Sequence, residues 1–400
     1  MKKKLLCMAL AAAMALSLCA CGSDDGSSAD TSTDTGTDSG TTSTATGAAF
    51  KVGGTGPLTG TASIYGIAAR NGAQIAVDEI NALGGDIQFE LRYEDDVNDP
   101  EKAVNAYNTL KDWGMQLSLG SVTSKPGEAT SVENNADRIF ALTPSASSQA
   151  TIEDKDNVFQ MCFMDPNQGT ASARYIDEQD LGTKIAIIWK NDDVYSKGIH
   201  DNFVEEAEAR GLEIVSDTTF ADGNDTDFSV QVADAQSNGA DLVFLPIYYT
   251  PASLILSQAN SVGYDPAWFG VDGMDGILTM EGFDATLAEG VMLLTPFNAD
   301  AEDEKTQNFV AKYEEQFGET PNQFAADAYD CIYAYYQALT NANATPDMDA
   351  ETLCGLMQEQ FTSMTFTGLT GTDMTWDATG AVSKEPRGMV IQNGAYVGMD

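Results

Sequence analysis

The sequence predicts an α/β protein in which parallel β-sheets are flanked by helices. Three continuous apolar runs are typical of parallel strands covered on both faces: IAIIW at 185–189, LVFL at 242–245 and VMLL at 291–294. Helical stripes alternate with these runs, as in Ile199, Phe203 and Ala207 before Gly211. Residues 50–400 are too many for one typical core, and βα units recur in both halves. The fold class is therefore α/β with two Rossmann-like lobes.

The first 20 residues predict an export signal, because Lys2 to Lys4 precede an apolar run too short for a comfortable bilayer span. Residues 22–47 are almost purely Gly, Ser, Thr, Asp and Ala, so we assign residues 21–49 to a disordered tether. The stretch LCAC at 18–21 resembles the bacterial lipobox, which implies cleavage before Cys21 and lipidation of its sulfur. We expect a protein anchored by lipid to the extracytoplasmic face of the cell membrane. An ordinary cleaved signal is the alternative.

Composition excludes several classes of partner and cofactor. The chain carries 61 acidic and 20 basic residues, a net charge of −41, which repels nucleic acid phosphates and anionic headgroups. With His200 as the only histidine and no CxxC or HExxH motif, we expect no metal site and no cofactor. Three cysteines follow the tether: Cys162, Cys331 and Cys354. Because their number is odd, we expect at least one of them to be a free thiol.

The loops that follow the strands carry the polar residues of interest. In parallel sheets, ligands sit beyond the carboxyl ends of the strands. The run LSLGSVTSKPGEAT at 117–130 predicts a strand that ends in small hydroxyl residues just before a helix, where backbone N–H groups favour an anion. Other loops supply hydroxyls, aromatic rings and the carboxylate of GVDG at 270–273, but no base, metal ligand set or nucleophile relay.

Ordered motifs across residues 50–400 resemble a known family, the extracytoplasmic solute-binding proteins of branched-chain amino-acid ABC importers. The motifs are GPLTG, YG, NGAQIAVDEINALGG, TPSAS, VYSKG, YYTPASLILSQANSVGYDP, GVDG and a late TGLTG with WD. The resemblance implies the type I periplasmic-binding fold with a three-crossing hinge. It also implies lobe 1 at 50–165 and 297–386, lobe 2 at 166–296 and 387–400, and crossings near 164–167, 295–298 and 376–389. The implied partners are a small amino acid and the ABC permease, with the protein itself a monomer.

The resemblance also implies a set of ligand contacts. Ser121 takes the place of the serine whose hydroxyl and backbone hold the ligand's carboxylate. Ser145 and Ser147 take the places of residues that bind the carboxylate and ammonium ends of the ligand. Asp272 takes the place of an acid, often Glu, that pairs with the α-ammonium. The aromatic residues expected around the ligand are Tyr65, Tyr195, one of Tyr248 or Tyr249, and Phe324. A zwitterion removed from water needs both ends paired, which such a set provides.

Other functions are weighed against this interpretation. Asp272 is one methylene shorter than Glu, and related binding proteins take amides, urea or aromatic carboxylates, so the ligand class stays open. The run GTGPLTG at 54–60 has the spacing GxGxxxG with Pro57 inside the turn, which argues against a dinucleotide enzyme. No GxSxG elbow occurs, so we expect no enzyme. The remaining alternative is a sensory ectodomain of the same fold, which should continue into a membrane helix.

Overall fold

The computed structural model describes residues 48–399, which are arranged around two β-sheets. The predicted signal (residues 1–20), the lipidation residue Cys21 and the tether lie outside the described residues, apart from Ala48 and Ala49. No helix within residues 48–399 combines the length and apolar character that crossing a bilayer requires.

Twelve strands are found among the described residues. They are β1 (Phe50–Gly56), β2 (Phe89–Asp95), β3 (Leu117–Leu119), β4 (Phe140–Thr143), β5 (Val158–Gln160), β6 (Lys184–Lys190), β7 (Glu213–Phe220), β8 (Leu242–Leu245), β9 (Ala267–Gly270), β10 (Met292–Leu294), β11 (Gly388–Gln392) and β12 (Ala395–Gly398). The first sheet is wholly parallel in the order β2-β1-β3-β4-β5. The second has the order β12-β11-β10-β9-β8-β6-β7 and is parallel except for β11 and β12.

Ten α-helices accompany these strands in the described part of the chain. They are α1 (Ser63–Ala82), α2 (Pro100–Trp113), α3 (Ser124–Asp137), α4 (Asp165–Glu178), α5 (Val194–Arg210), α6 (Ser229–Ser237), α7 (Tyr249–Ser261), α8 (Glu304–Phe317), α9 (Gln323–Ala342) and α10 (Ala350–Phe361). Short 3₁₀ helices occur at Gln149–Thr151, Asp272–Met274, Ile277–Thr279 and Ala285–Ala288.

Local sequence signals account for the helix ends. Side-chain carboxylates or amides accept hydrogen bonds from first-turn backbone N–H groups at the starts of five helices, namely at Asp99, Asp193, Asp303, Asn322 and Asp349. Gly114, Gly211 and Gly318 end α2, α5 and α8 in the left-handed conformation, which glycine adopts without a steric penalty. The predicted helix end at Gly211 is therefore confirmed.

Lobe 1 of the structure consists of the first sheet and the helices that pack on it. Helices α1 and α9 pack against each other, and α2 and α3 pair on the sheet as well. The contact between α1 and α9 is so close that a Cβ atom at Gly72 would lie 2.0 Å from the backbone oxygen of Ala325. Helices α8 and α10 join this group, although they follow the second sheet in sequence.

Lobe 2 is the second sheet with its helices. Its strands alternate between two cores: in β6, Ala186 and Ile188 belong to one hydrophobic cluster and Ile185 and Ile187 to the other. Both faces are therefore buried, as the continuous apolar runs predicted, and the α/β fold class is confirmed. The antiparallel β11 and β12 at the sheet edge were not predicted.

The chain passes between the two sheets three times, after β5, after β10 and before β11. The numerical lobe and hinge boundaries given above stay predictions. The last passage follows residues 363–387, which pack on α9 through a buried ion pair. There the Lys384 ammonium lies 2.7 Å from a carboxylate oxygen of Asp327 and 2.6 Å from the hydroxyl of Thr370.

Candidate ligand-binding site

A small cavity lies where the two lobes meet, at the carboxyl ends of their strands. Six of its nine lining residues belong to the predicted set: Tyr65, Ser145, Tyr195, Tyr248, Asp272 and Phe324. The other three were not predicted as contacts: Val122, Thr123 and Gly273. The structure therefore brings most of the predicted set together, with contributions from both lobes.

Asp272 supplies a buried carboxylate to this cavity. It opens the 3₁₀ helix after β9, and only 3% of its surface is exposed. The Tyr195 hydroxyl donates a hydrogen bond of 2.6 Å to its Oδ1 and accepts one of 2.9 Å from the backbone N–H of Gly273. Burial raises the pKa of Asp272 to about 6, while these hydrogen bonds hold it down. No basic side chain lines the cavity, so this carboxylate has no counter-charge there.

The opposite wall of the cavity is the N-terminus of α3. Thr123 is the N-cap residue, but its side chain caps no backbone group, and its buried Oγ1 has no hydrogen-bond partner among the described residues. The first turn of α3 contains no acidic residue. Helix N-termini carry partial positive charge and unsatisfied N–H groups, so this wall favours an anion. The cavity thus has a negative wall in lobe 2 and a positive wall in lobe 1.

Aromatic rings fill the space between these two walls. The ring of Tyr65 lies 4.3 Å from that of Phe324 and 5.3 Å from that of Tyr248, which lies 4.7 Å from that of Tyr195. Tyr65 bridges the lobes, because its hydroxyl donates to the Gly273 carbonyl and accepts from the Tyr249 N–H. The volume left is about 10 Å³, close to that of one water-sized probe.

The glycine at 273 is required by this crowding. A Cβ atom there would lie 2.6 Å from the Tyr195 hydroxyl and 2.9 Å from the Tyr248 ring. Only glycine lets the backbone approach both tyrosines. The loop GVDG therefore combines a carboxylate with a residue that makes room for the rings.

The three predicted serines occupy different positions. Ser145 lines the cavity, and its hydroxyl donates to the Val122 carbonyl at 2.6 Å. Ser121 is buried just behind the wall, where its hydroxyl bonds to those of Thr55 (2.7 Å) and Thr130 (3.1 Å). Ser147 is fully buried, and its carbonyl accepts from the Asp165 N–H at 2.9 Å. The structure thus places the hydroxyls of Ser121 and Ser147 outside the cavity lining, and their roles as ligand contacts stay predictions.

Of the two candidate tyrosines at 248 and 249, only Tyr248 lines the cavity. Tyr249 packs its ring 5.0 Å from that of Tyr65, and its hydroxyl accepts from the Ile64 N–H at 3.4 Å. Tyr249 therefore supports Tyr65 and ties the two lobes together. This difference follows from the start of α7, where Tyr248 is the N-cap and Tyr249 the first helical residue.

Asp165 and Gln168, which the sequence reasoning did not single out, lie behind Asp272. The Gln168 side-chain oxygen accepts from the Asp272 N–H at 3.2 Å. Asp165 is 1% exposed, and neither carboxylate oxygen has a hydrogen-bond partner among the described residues. Burial raises its pKa well above the usual range, and Asp272 raises it further. The run DPNQG at 165–169, which overlaps the predicted crossing near 164–167, was the available signal.

Other features of the described residues give weaker indications of a functional site. Within residues 48–399 no group of three or more His, Cys, Asp or Glu side chains is arranged to hold a metal ion. Cys162, Cys331 and Cys354 are buried and free, so the expectation of a free thiol is confirmed. A groove of about 790 Å³ beside α3 is open to solvent, and two of its five charged residues, Arg138 and Asp156, pair with each other.

Comparison with known proteins places the chain in a family. The profile of the family described as periplasmic binding protein matches residues 49–395. The chain is 30% identical over 230 residues to a Leu/Ile/Val-binding protein of Rhizobium johnstonii, a match that covers 57% of this chain and 62% of that protein.

Solved structures of related proteins have the same fold. A branched-chain amino acid transporter substrate-binding protein from Streptococcus pneumoniae, in complex with isoleucine, is 27% identical with a TM-score of 0.78. That match covers 87% of this chain and 97% of that one. An ABC transporter solute-binding protein from R. palustris, in complex with benzoate, is 19% identical with a TM-score of 0.77, covering 88% and 95%. The predicted type I periplasmic-binding fold is thereby confirmed, and the chain belongs to the periplasmic binding protein family.

Proposed function

We propose that the protein is the extracytoplasmic solute-binding component of an ABC importer and binds a small amino acid, branched-chain or otherwise hydrophobic, between its lobes. The observation that carries the proposal is a single cavity with a buried, uncompensated carboxylate on one wall and an uncapped helix N-terminus on the other. An α-amino acid presents the complementary pair of charges. The relatives described above, which bind Leu, Ile and Val or hold isoleucine, support the same ligand class.

The two charged ends of the ligand have separate partners in this proposal. Asp272 accepts from the α-ammonium, with its orientation held by Tyr195, and the N-terminus of α3 binds the α-carboxylate through Val122 and Thr123. A charge-assisted hydrogen bond at each end offsets the cost of removing the zwitterion from water. Ser121, Ser145 and Ser147 provide further backbone or hydroxyl contacts at the carboxylate and ammonium ends.

The rings determine which side chain the site accepts. Tyr65, Tyr195, Tyr248 and Phe324 present apolar surface, which favours an aliphatic or aromatic side chain over a charged one. A lining without a histidine, cysteine or lysine suits binding without chemistry. We therefore assign the site no catalytic residue.

Binding proceeds by hinge closure in this proposal. The cavity of about 10 Å³ is far too small for leucine, so the lobes must separate to admit it. Contacts between the lobes hold the present arrangement, including the bond from the Thr250 hydroxyl to the Thr61 carbonyl at 2.8 Å. A ligand that touches both lobes stabilises the closed form, and the permease recognises that form. Saturation with leucine should therefore reduce the radius of gyration in X-ray scattering; an unchanged radius would refute closure.

Calorimetric titration tests the ligand class directly. The purified protein is unfolded and refolded to remove carried ligand, then titrated with the twenty amino acids, urea, short amides and benzoate. Micromolar or tighter binding of leucine, isoleucine or valine supports the proposal. Binding of none of these compounds would contradict both the ligand class and the importer role.

An aromatic carboxylate, urea or a short amide is the second candidate ligand. The ring-rich lining and the benzoate-bound structure favour the aromatic carboxylate among these. Asp272 argues against it, because benzoate has no ammonium group to pair with a buried carboxylate. Binding of benzoate but not leucine in the same titrations would decide for this candidate.

Export and lipid anchoring through Cys21 complete the proposal. A signal at residues 1–20 and a polar tether at 21–49 suit a receptor held near its permease. Cells fed an alkyne-bearing fatty acid should label the wild-type protein and not Cys21→Ala, and the variant should appear in the medium or soluble fraction. Equal labelling of both proteins would exclude Cys21 as the lipidation site.

A further inference from the structure

A second and larger cavity lies between the lobes, and we call it the hinge cavity. It has a volume of about 330 Å³ and takes its lining from lobe 2, from the passage after β10 and from the loop that precedes α9. Its lining includes Asp275, Leu278, Ala299, Asp300, Glu319, Pro321, Ala395 and Tyr396. None of them belongs to the ligand set predicted from the sequence.

Asp275 is a buried carboxylate in the wall of the hinge cavity. It is 2% exposed, and its Oδ2 accepts from the Gln323 N–H at 2.8 Å. Its Oδ1 has no hydrogen-bond partner among the described residues. Burial raises the pKa of Asp275 to about 6, and hydrogen bonding from the Gln323 N–H and from the adjacent Tyr396 hydroxyl opposes that rise. These are neutral donors, so no cation offsets the charge of the carboxylate. A buried acceptor without a partner is costly unless something supplies a donor.

The rest of the lining favours a positive charge. Asp300 and Glu319 are exposed acids at the rim, and no lysine, arginine or histidine is among the lining residues. These acids do not form a cluster suited to a metal ion. Apolar surface from Leu278, Ala299 and Pro321 lies beside them. A cation with a short hydrocarbon part matches both properties of the lining.

We propose that the hinge cavity is a second binding site, for a small primary ammonium compound. The ammonium donates to Oδ1 of Asp275, the rim acids Asp300 and Glu319 attract it, and a short alkyl chain packs on Leu278, Ala299 and Pro321. The cavity volume lies at the lower end of that of ordinary small-molecule sites, so the cavity has room for such a compound.

The hinge cavity is linked to the interlobe site through Gln323. The backbone N–H of Gln323 donates to Asp275, and its side-chain amide donates to the Asp272 carbonyl at 2.9 Å. An occupant of the hinge cavity therefore braces lobe 2 against α9 in the closed arrangement. This consequence rests on the proposed function: propylammonium should tighten leucine binding, and leucine should tighten propylammonium binding by the same factor.

Direct titration with propylammonium chloride, followed by heteronuclear NMR, tests the site without reference to leucine. We expect saturable shifts centred on Asp275, Gly276 and Tyr396, and none with 1-propanol, which has the same size and no charge. Asp275→Asn should weaken binding about tenfold or more, since it replaces a charged acceptor. Ala395→Trp should also abolish binding by filling the cavity, so a folding defect in one variant leaves the other as the test.

A matched control separates the two sites. Asp272→Asn, which alters the interlobe site, should retain propylammonium binding. Loss of binding in Asp272→Asn but not in Asp275→Asn would assign the amine to the interlobe site and overturn the proposal. Absence of binding to the folded wild-type protein would overturn it as well. Tighter binding of Mg²⁺ than of propylammonium, lost in Asp275→Asn, would replace the ligand class with a metal. If the protein binds propylammonium as expected but binds no amino acid, the hinge cavity is supported as a binding site and the proposed function is refuted.

Discussion

Asp272 and Asp327 are two carboxylates buried to a similar depth, but only one of them has a cation beside it. Asp327 faces the Lys384 ammonium at 2.7 Å, and each side chain of that pair is 2% exposed. Asp272 receives only neutral donors, chiefly the Tyr195 hydroxyl. Burial raises the pKa of both carboxyl groups, and at Asp327 the Lys384 charge opposes that rise.

Asp327 has a structural role, whereas we propose that Asp272 binds the ligand. Where the chain supplies its own counter-ion, the charge is satisfied within the fold and joins α9 to the segment before β11. Where the chain supplies no counter-ion, the buried carboxylate has lost its hydration without gaining a cation. A positively charged ligand can then pair with it. Asp272 and Asp275 are both of this second kind.

The largest expected effect concerns the ion pair. Lys384→Met leaves Asp327 buried without its cation and should lower the free energy of unfolding by about 3–5 kcal/mol. Urea denaturation monitored by circular dichroism measures this change. The double variant Asp327→Leu with Lys384→Met should recover most of the loss, because no charge then stays buried. A single variant as stable as the wild type would show that the pair has no structural role.

At Asp272 the effect should fall on binding. Asp272→Asn should weaken leucine by about 2–4 kcal/mol, since it removes the charged partner of the ammonium. The des-amino analogue 4-methylpentanoate, which lacks the ammonium, should lose little affinity. Calorimetry with both compounds gives the difference, and equal losses for the two would remove the ammonium role.

The same variant should not lose stability. The pKa of Asp272 in the folded protein, about 6, lies above the ordinary value of an unfolded aspartate, about 3.9. The folded state therefore holds its proton more tightly, and this group lowers stability as the pH rises from about 4 to 6. At neutral pH Asp272→Asn should leave the unfolding free energy unchanged or higher, in contrast to Lys384→Met.

Tyr195→Phe should have a smaller effect of the same kind. The substitution removes the hydroxyl that donates to Asp272 and accepts from Gly273, and should weaken leucine by about 1–2 kcal/mol. The pKa of Asp272 should also rise, because this hydrogen bond lowers it. Tyr264→Phe is the matched control, since its hydroxyl bonds to the Ala240 carbonyl away from the cavity. Similar affinities for the two variants would contradict the role of Tyr195.

The smallest expected effect is the pH dependence of binding. In the proposed function the ammonium pairs with ionised Asp272, so the affinity for leucine should be highest well above pH 6 and should fall as the carboxylate is protonated. Between pH 7.5 and 5.5 the affinity for leucine should fall about fourfold. Titrations of Asp272→Asn over the same range should lack this change. A dependence that persists there would point to another group, of which Asp275, with a pKa also raised to about 6, is the first candidate.

The repeated βα pattern was sufficient for the fold class, because a strand buried on both faces must be apolar throughout, as β6 is. The antiparallel hairpin of β11 and β12 was missed, since the apolar run of β11 is only three residues long and β12 is partly exposed. Within the site, Asp272 and Tyr195 were predicted from loops at strand ends and lie together. Thr123 and Gly273 were not, because the helix N-terminus at Thr123 and the crowding that requires glycine at 273 arise only when the loops are packed together.

The sequence by itself determined the residue types available for binding: buried-strand patterns, helix starts and stops, an acidic chain with one histidine, and loops rich in hydroxyls and rings. These are local properties, because they depend on a residue's type and on its near neighbours in the sequence. Only the tertiary structure decided which loops face one another. In the folded protein the Ser121 hydroxyl bonds to Thr55, and Tyr248 lines the cavity while Tyr249 does not. Asp327 pairs with a cation, and Asp272 has none beside it. Burial and distance set the energy of a charge, and neither is defined until residues far apart in sequence are packed together.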